Sequence, residues 1–130
     1  MNQWIFVLND DISVLNKRSK AKRWPIFHRT INKKYLEIGD HIIFYQAGNG
    51  GQKFLGTAVN NSKVQSIQDS IDGFVDIDKI DIWKKDLSIR NILSDLNFIK
   101  NKEHWGAYLQ GGVLRLNKQD YALILKAAKK

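Results

Sequence analysis

Apolar residues in this chain come in short blocks, and most of the blocks predict strands. Trp4-Ile5-Phe6-Val7-Leu8 is unbroken and rich in aromatic and branched side chains, which predicts a buried strand. Asn9-Asp10-Asp11 stops it and can cap a short helix through Leu15. Ile31 to Leu36 predicts a helical turn with Tyr35 and Leu36 facing inward, and Gly39-Asp40 a turn before the strand His41 to Gln46. Gly48-Asn49-Gly50-Gly51 reads as a hairpin loop leading to a third strand, Lys53 to Val59. Gly56 inside that strand marks a bulge or the close approach of another backbone or a ligand. From Phe74 to Trp83, apolar residues alternate with a slip at Lys79, the pattern of a long strand with a bulge. Asp86-Leu87-Ser88 is a cap for a helix reaching about Leu93 or Leu96. Gly111 to Leu116 is a last strand, and Asn117 caps an amphipathic helix carrying Tyr121, Leu123, Ile124 and Leu125. Short strands with inserted helices and a helix at the end predict an α+β domain on a small curved sheet or barrel.

Composition narrows this. At 130 residues the chain is expected to form one domain, residues 1–130, with a core that needs no staples. It has no cysteine, so disulfide frameworks and thiolate metal sites are excluded. No apolar run approaches the length of a membrane span, and Met1-Asn2-Gln3-Trp4 runs into a strand without a signal peptide's basic head. A cytoplasmic protein is expected.

Charge changes the picture more. The net charge is +8, and the excess is concentrated: between Ile12 and Leu36 there is no Asp or Glu. Lys17, Arg18, Lys20, Lys22, Arg23, Arg29, Lys33 and Lys34 all fall in that interval. One-sided charge interleaved with aromatics is the footprint of a surface that grips phosphates and stacks on bases. A basic loop that only aids solubility would look similar, but leaves Trp24 unexplained. Asp72, Asp76, Asp78 and Asp81, with Asp69, concentrate acid away from the basic stretch. They read as a solvated strand face rather than a cation site.

Catalytic signatures are missing. His28, His41 and His104 are isolated from each other and from paired acids, and Ser13, Ser19, Ser62 and Ser88 lack a glycine elbow. The glycine loop is followed by no Lys-Ser/Thr pair and no helix, so it reads as a turn rather than a phosphate loop. No cofactor and no enzymatic activity are expected. Trp4 and Trp83 sit in strand-like runs and are expected in the core. Trp24 and Trp105 sit in polar surroundings, where binding aromatics are found and where a base lifted from its stack could be held. Arg115 is the lone charge in Val113-Leu114-Arg115-Leu116 and faces either a groove or plain solvent.

The opening strand followed by an Asn, the isolated Trp24, Leu36-Glu37-Ile38-Gly39-Asp40 before Phe44-Tyr45, and Phe54 to Ala58 together resemble the EVE domain of the PUA-like superfamily. The closing segment extends the likeness: Leu96 to Lys102, Trp105-Gly106, Gly111 through Arg115 and Asp120-Tyr121. The resemblance implies a curved β-barrel-like sheet flanked by short helices, with a C-terminal helix, related to the YTH domains that read methylated adenine in RNA. It implies a base pocket formed by Asn9, Trp24, Tyr45, Trp105 and Arg115. Two positions depart from the family: Leu8-Asn9-Asp10 stands where many bacterial members have Ser-Glu-Pro, and Pro25 replaces a small residue.

The expected function is therefore binding of DNA or RNA that carries a modified base, with any cutting left to a separate effector protein. A PUA-like RNA binder that recognises shape or sequence alone is the alternative, and an enzyme acting on modified nucleotides a third reading.

Overall fold

The first strand, β1 (Gln3–Leu8), is buried at every position because both of its faces meet apolar layers. The computed structural model describes residues 1–30, 32–48, 51–67, 70 and 72–129. β1 is followed by α1 (Ile12–Ala21), β2 (Arg23–Ile26), β3 (His41–Gln46), β4 (Lys53–Asn60), the short β5 (Gln65–Ser66), β6 (Gly73–Ser88), β7 (Val113–Leu116) and α2 (Lys118–Ala128). The strands form a mixed sheet in the order β2-β6-β4-β3-β1-β7, with β5 also paired to β6. β1 runs parallel to β3 and antiparallel to β7.

The two faces of β1 divide the core. Trp4, Phe6 and Leu8 pack with Leu15, Trp24, Phe44 and Leu55 on one side. Ile5 and Val7 pack with Tyr45, Phe54, Leu109 and Ile124 on the other. β2 lies at one end of the strand order, yet Trp24 on it touches Phe6 of β1 and Phe44 of β3, with ring centroids 5.6 and 5.1 Å apart. The sheet therefore curls over one core layer into a half-barrel, the curved α+β architecture expected from the sequence.

Bulges make the curl. β4 and β6 shift register by one between the pairs Thr57–Asp81 and Val59–Asp78, and Lys79 between them takes a positive φ of 48°. This is the slip legible in the sequence at Lys79. Gly56 pairs with Ile82 where the strands touch, and a Cβ there would lie 2.2 Å from the Asp81 carbonyl oxygen. Only backbone movement could relieve such a clash. Gly56→Ala is expected to destabilise the protein by about 1–3 kcal/mol, read as a lower urea midpoint at unchanged m-value.

Buried carboxylates tie the ends together. Asp40 accepts hydrogen bonds from Trp4 Nε1 (2.8 Å) and from the backbone N–H groups of Asn2 and Glu37 (3.0 Å each). Asp120 accepts from the N–H groups of Asn97 and Phe98, and Asn117 caps α2 by accepting from the Asp120 N–H at 2.7 Å.

Several expectations need correction. The first helix runs to Ala21 rather than stopping at Leu15, so Lys17, Arg18 and Lys20 of the basic stretch are helical. Tyr35 is exposed, while Leu36 alone of the pair turns inward. β6 continues through Ser88, and the helix expected after it is instead a pair of short 3₁₀ turns, Ile89–Asn91 and Leu93–Asp95. The acidic row is not apart from the basic stretch: β2 and β6 pair antiparallel and set Arg23 opposite Asp76. Asn49 and Gly50 of the hairpin loop, Ile31 at the head of the helical turn, and Asp69 lie outside the described residues.

Candidate nucleic-acid interface

α1 presents two kinds of cation. Lys17 and Lys20 are exposed, whereas Arg18 lies one turn from the buried Leu15 and follows it toward the core. Lys22 ends the helix in the left-handed conformation (φ 54°), with its N–H returned to Arg18 and Ser19 carbonyls. β2 then alternates: Arg23 is exposed, Pro25 half-buried, and Trp24 and Ile26 buried. A proline is tolerated here because β2 is a terminal strand of the sheet.

Trp24 is only 2% exposed. One face stacks on Phe44 at an interplanar angle of 24°, and the Arg18 guanidinium lies 4.4 Å from the ring centroid. Arg18 also approaches Asp10 at 4.0 Å. Burial lowers the guanidinium's pKa from its ordinary value and Asp10 opposes that, although an arginine stays charged throughout. The expectation of a tryptophan standing clear of the core is thus corrected: its rim, rather than an open face, reaches the surface.

That rim borders a hollow of about 190 Å³ walled by Asn9, Arg18, Trp24, Pro25, Phe27 and Gly111-Gly112. A second hollow, about 270 Å³, continues past Phe27 toward Arg29 and Asn32. A third, about 460 Å³, opens on the other side of Asn9 and Gly111 and is lined by Tyr45, Gln52 and Trp105. Gly111, with φ of 95°, is common to all three, and a positive φ at that turn favours glycine. The Gly112 carbonyl accepts from the Val7 N–H at 2.9 Å, which pins this loop across the end of β1.

No protein-family model matches the chain, and neither does any curated protein sequence. Solved structures do match along its whole length. The NMR structure of Rpa0253 from Rhodopseudomonas palustris is 15% identical, with a TM-score of 0.74 over 99% of this chain and 94% of that one. Human THYN1, solved in complex with DNA containing 5-methylcytosine, is 9% identical, with a TM-score of 0.71 over 100% and 99% of the two chains. The YTH domain of Zygosaccharomyces rouxii MRB1, solved in complex with N6-methyladenosine RNA, is 15% identical, with a TM-score of 0.63 over 98% and 88%. The chain shares the fold of human THYN1 and of the MRB1 YTH domain, the PUA-like curved α+β architecture expected from the sequence.

Within this PUA-like frame the residues singled out by sequence fall into separate places. Asn9 and Trp24 meet in the smallest hollow, and Asn9, Tyr45 and Trp105 in the largest. Arg115 joins neither: it points away along β7, donates to Asn2 Oδ1 at 2.8 Å, and sits 5.7 Å from the Trp4 ring. The cations divide as well. Arg23 lies over Phe74 (3.8 Å) and 3.9 Å from Asp76. Lys33 donates to the His28 carbonyl, and Lys34 sits 5.2 Å from the Tyr35 ring. Lys17, Lys20, Lys22 and Arg29 are exposed and form no ion pair among the described residues.

Sequence reasoning missed Phe27, 55% exposed at the rim of two hollows. It is set there by the turn closed from the Thr30 N–H to the Phe27 carbonyl and by the His28 N–H to Asp72. The backbone bond from His28 is the main reason the Asp72 carboxyl is held below its usual pKa. The glycine pair at 111–112 was the available signal for the shared wall. Among the described residues no cluster of His, Asp or Glu could hold a metal, and no helix is long and apolar enough to cross a membrane.

Proposed function

We propose that residues 1–130 form one EVE-type module that binds a strand of DNA or RNA carrying a modified base. The base occupies the hollow between Asn9, Arg18, Trp24 and Gly111-Gly112, and the exposed lysines of α1 face the phosphates. The observation that supports this best is a small concave site, part aromatic and part polar, directly beside a basic helix whose Lys17 and Lys20 form no ion pair among the described residues. It occurs on the fold that in human THYN1 accompanies 5-methylcytosine DNA and in the MRB1 YTH domain accompanies N6-methyladenosine RNA. About 190 Å³ is below the ~300–1,000 Å³ of sites that enclose whole small molecules, and suits one flat ring. We assign no catalytic role to any of these residues. The module belongs in the cytoplasm, and cleavage of a recognised strand would fall to a separate effector protein.

One observation favours the alternative of shape recognition without a modification: Phe44 and Arg18 already cover Trp24, leaving no open aromatic cage. Fluorescence anisotropy with paired oligonucleotides, identical but for one 5-methylcytosine or one N6-methyladenine, separates the two. A modified strand is expected to bind roughly tenfold or more tightly, a difference of about 1.4 kcal/mol. Equal affinities for every pair would remove the modified base from the proposal and leave a shape-reading RNA binder.

A further inference from the structure

The largest hollow has its own chemistry. Tyr45 is 1% exposed, yet it lines this space, and its hydroxyl makes no hydrogen bond to a described residue. Buried tyrosine hydroxyls usually find a partner. Among the described residues the fully enclosed side-chain polar atom without one is Asn60 Oδ1, so the phenol's polar end is open to the hollow rather than sealed. Burial pushes the phenol's pKa up to about 12, although nearby Arg90 works against this, and the group remains a donor at neutral pH.

Opposite stands Trp105, half-buried on a 3₁₀ turn, with the Arg90 guanidinium 5.5 Å from its ring. Arg90 also donates to Gln52 Oε1 at 3.1 Å. Gln52 holds a positive φ of 64°, uncommon for a residue with a side chain, and its N–H is tied to the Gln46 carbonyl at 2.6 Å. Strained backbone of this kind persists where the surroundings over-determine it, often beside binding sites. A flat aromatic wall, a hydroxyl donor without a partner among the described residues, the three amide side chains of Asn9, Gln52 and Gln110, and a cation at the rim match a planar heterocycle with acceptor atoms, joined to an anionic backbone.

Asn9 and Gly111 belong to this hollow and to the smaller one beside Trp24. A wall about one side chain thick is on the order of the spacing between consecutive bases of an unstacked strand, roughly twice the 3.4 Å stacked rise. We propose that the Tyr45–Trp105 hollow is a second subsite that takes the unpaired base adjoining the modified one on the same strand. This rests on the modified-base reading of the smaller hollow and extends it from one nucleotide to two.

The test uses single strands with one central 5-methylcytosine or N6-methyladenine, each compared with copies that have an abasic position immediately 5′ or 3′ of it. On one of the two sides, the abasic copy is expected to bind roughly five- to a hundredfold more weakly, the range for losing one base stacked on an aromatic. Trp105→Ala should abolish that difference. Tyr45→Phe, which keeps the ring and the packing, should shrink it several-fold while leaving the modified-to-unmodified ratio unchanged. The conservative variant guards against misfolding of the first.

Abasic substitution without effect on either side would overturn the subsite, even with modified-base discrimination intact. So would an equal loss for abasic and complete strands in Trp105→Ala. Loss of discrimination with the abasic effect intact would instead overturn the modified-base reading and leave a base-stacking subsite standing.

Discussion

Trp24→Ala is expected to lower the stability of this protein by about 3–5 kcal/mol, the range for removing a large aromatic from a core. The indole is 2% exposed and stacked on Phe44, and it meets Phe6 across the curled sheet. β2 has only Trp24 and Ile26 as fully buried anchors, so the cavity would detach the strand as well as leave a void. Arg18 would lose the ring beneath its guanidinium, leaving a half-buried charge near Asp10. Against a typical total of ~5–15 kcal/mol, such a loss is large. Urea denaturation gives the number. An unchanged midpoint would mean that the indole stands clear of the core, with a face available to a base. Binding is better probed with Trp24→Phe, which keeps a stacked ring and alters only the rim of the hollow.

Why Trp24 looked like a surface residue is instructive. Its neighbours Arg23 and Pro25 are the outward positions of a four-residue strand, too short for alternation to stand out against the basic run around it. β2 exists because β6 offers it a partner about fifty residues away, with Trp24 opposite Val75. The same pairing brings Asp76 to Arg23 and undoes the separation of acid from base suggested by the linear sequence. α1 was legible only in its first turn. Beyond Leu15 it offers no apolar repeat, and Arg18 covers the core edge with its aliphatic stem and guanidinium in place of a hydrophobic residue.

Local signals did better. The unbroken run at Trp4 is a strand buried on both faces, and His41 to Gln46 begins and ends where the sequence placed it. Gly56 and the slip at Lys79 mark real irregularities, because backbone contact and bulges leave their trace in the residues that allow them. The candidate site is different in kind. Its walls come from the segments around Asn9, Trp24, Tyr45 and Gly111, which only the sheet order brings side by side. Sequence could name Asn9, Trp24, Tyr45 and Trp105 through a resemblance. It could not show that they divide between two hollows, or that Arg115 serves the Asn2 end of β7 instead.

The other large effect concerns salt. Replacing Lys17, Lys20 and Lys22 together with alanine is expected to flatten the dependence of log affinity on log salt by roughly 2–3, since each lost phosphate contact removes about 0.7–0.9. All sequences should weaken alike, modified or not, because phosphate contacts carry no base information. Each of these lysines is exposed and without an ion-pair partner among the described residues; alanine favours the helix at 17 and 20, and at the left-handed cap Lys22 it replaces one residue with a Cβ by another, so folding should be little disturbed. Arg23 is left in place because its guanidinium already serves Phe74 and Asp76, and Arg18 because it covers Trp24. Net charge alone would also shift affinity, so the comparison is a variant that removes three cations elsewhere: Lys84 and Lys85, in the half of β6 that β2 does not reach, and Lys126 on α2. Phosphate contact along α1 predicts a large change of slope for the first variant and a small one for the second. Equal changes in both would reduce the basic helix to a contributor to overall charge, and the strand would have to run elsewhere on the molecule.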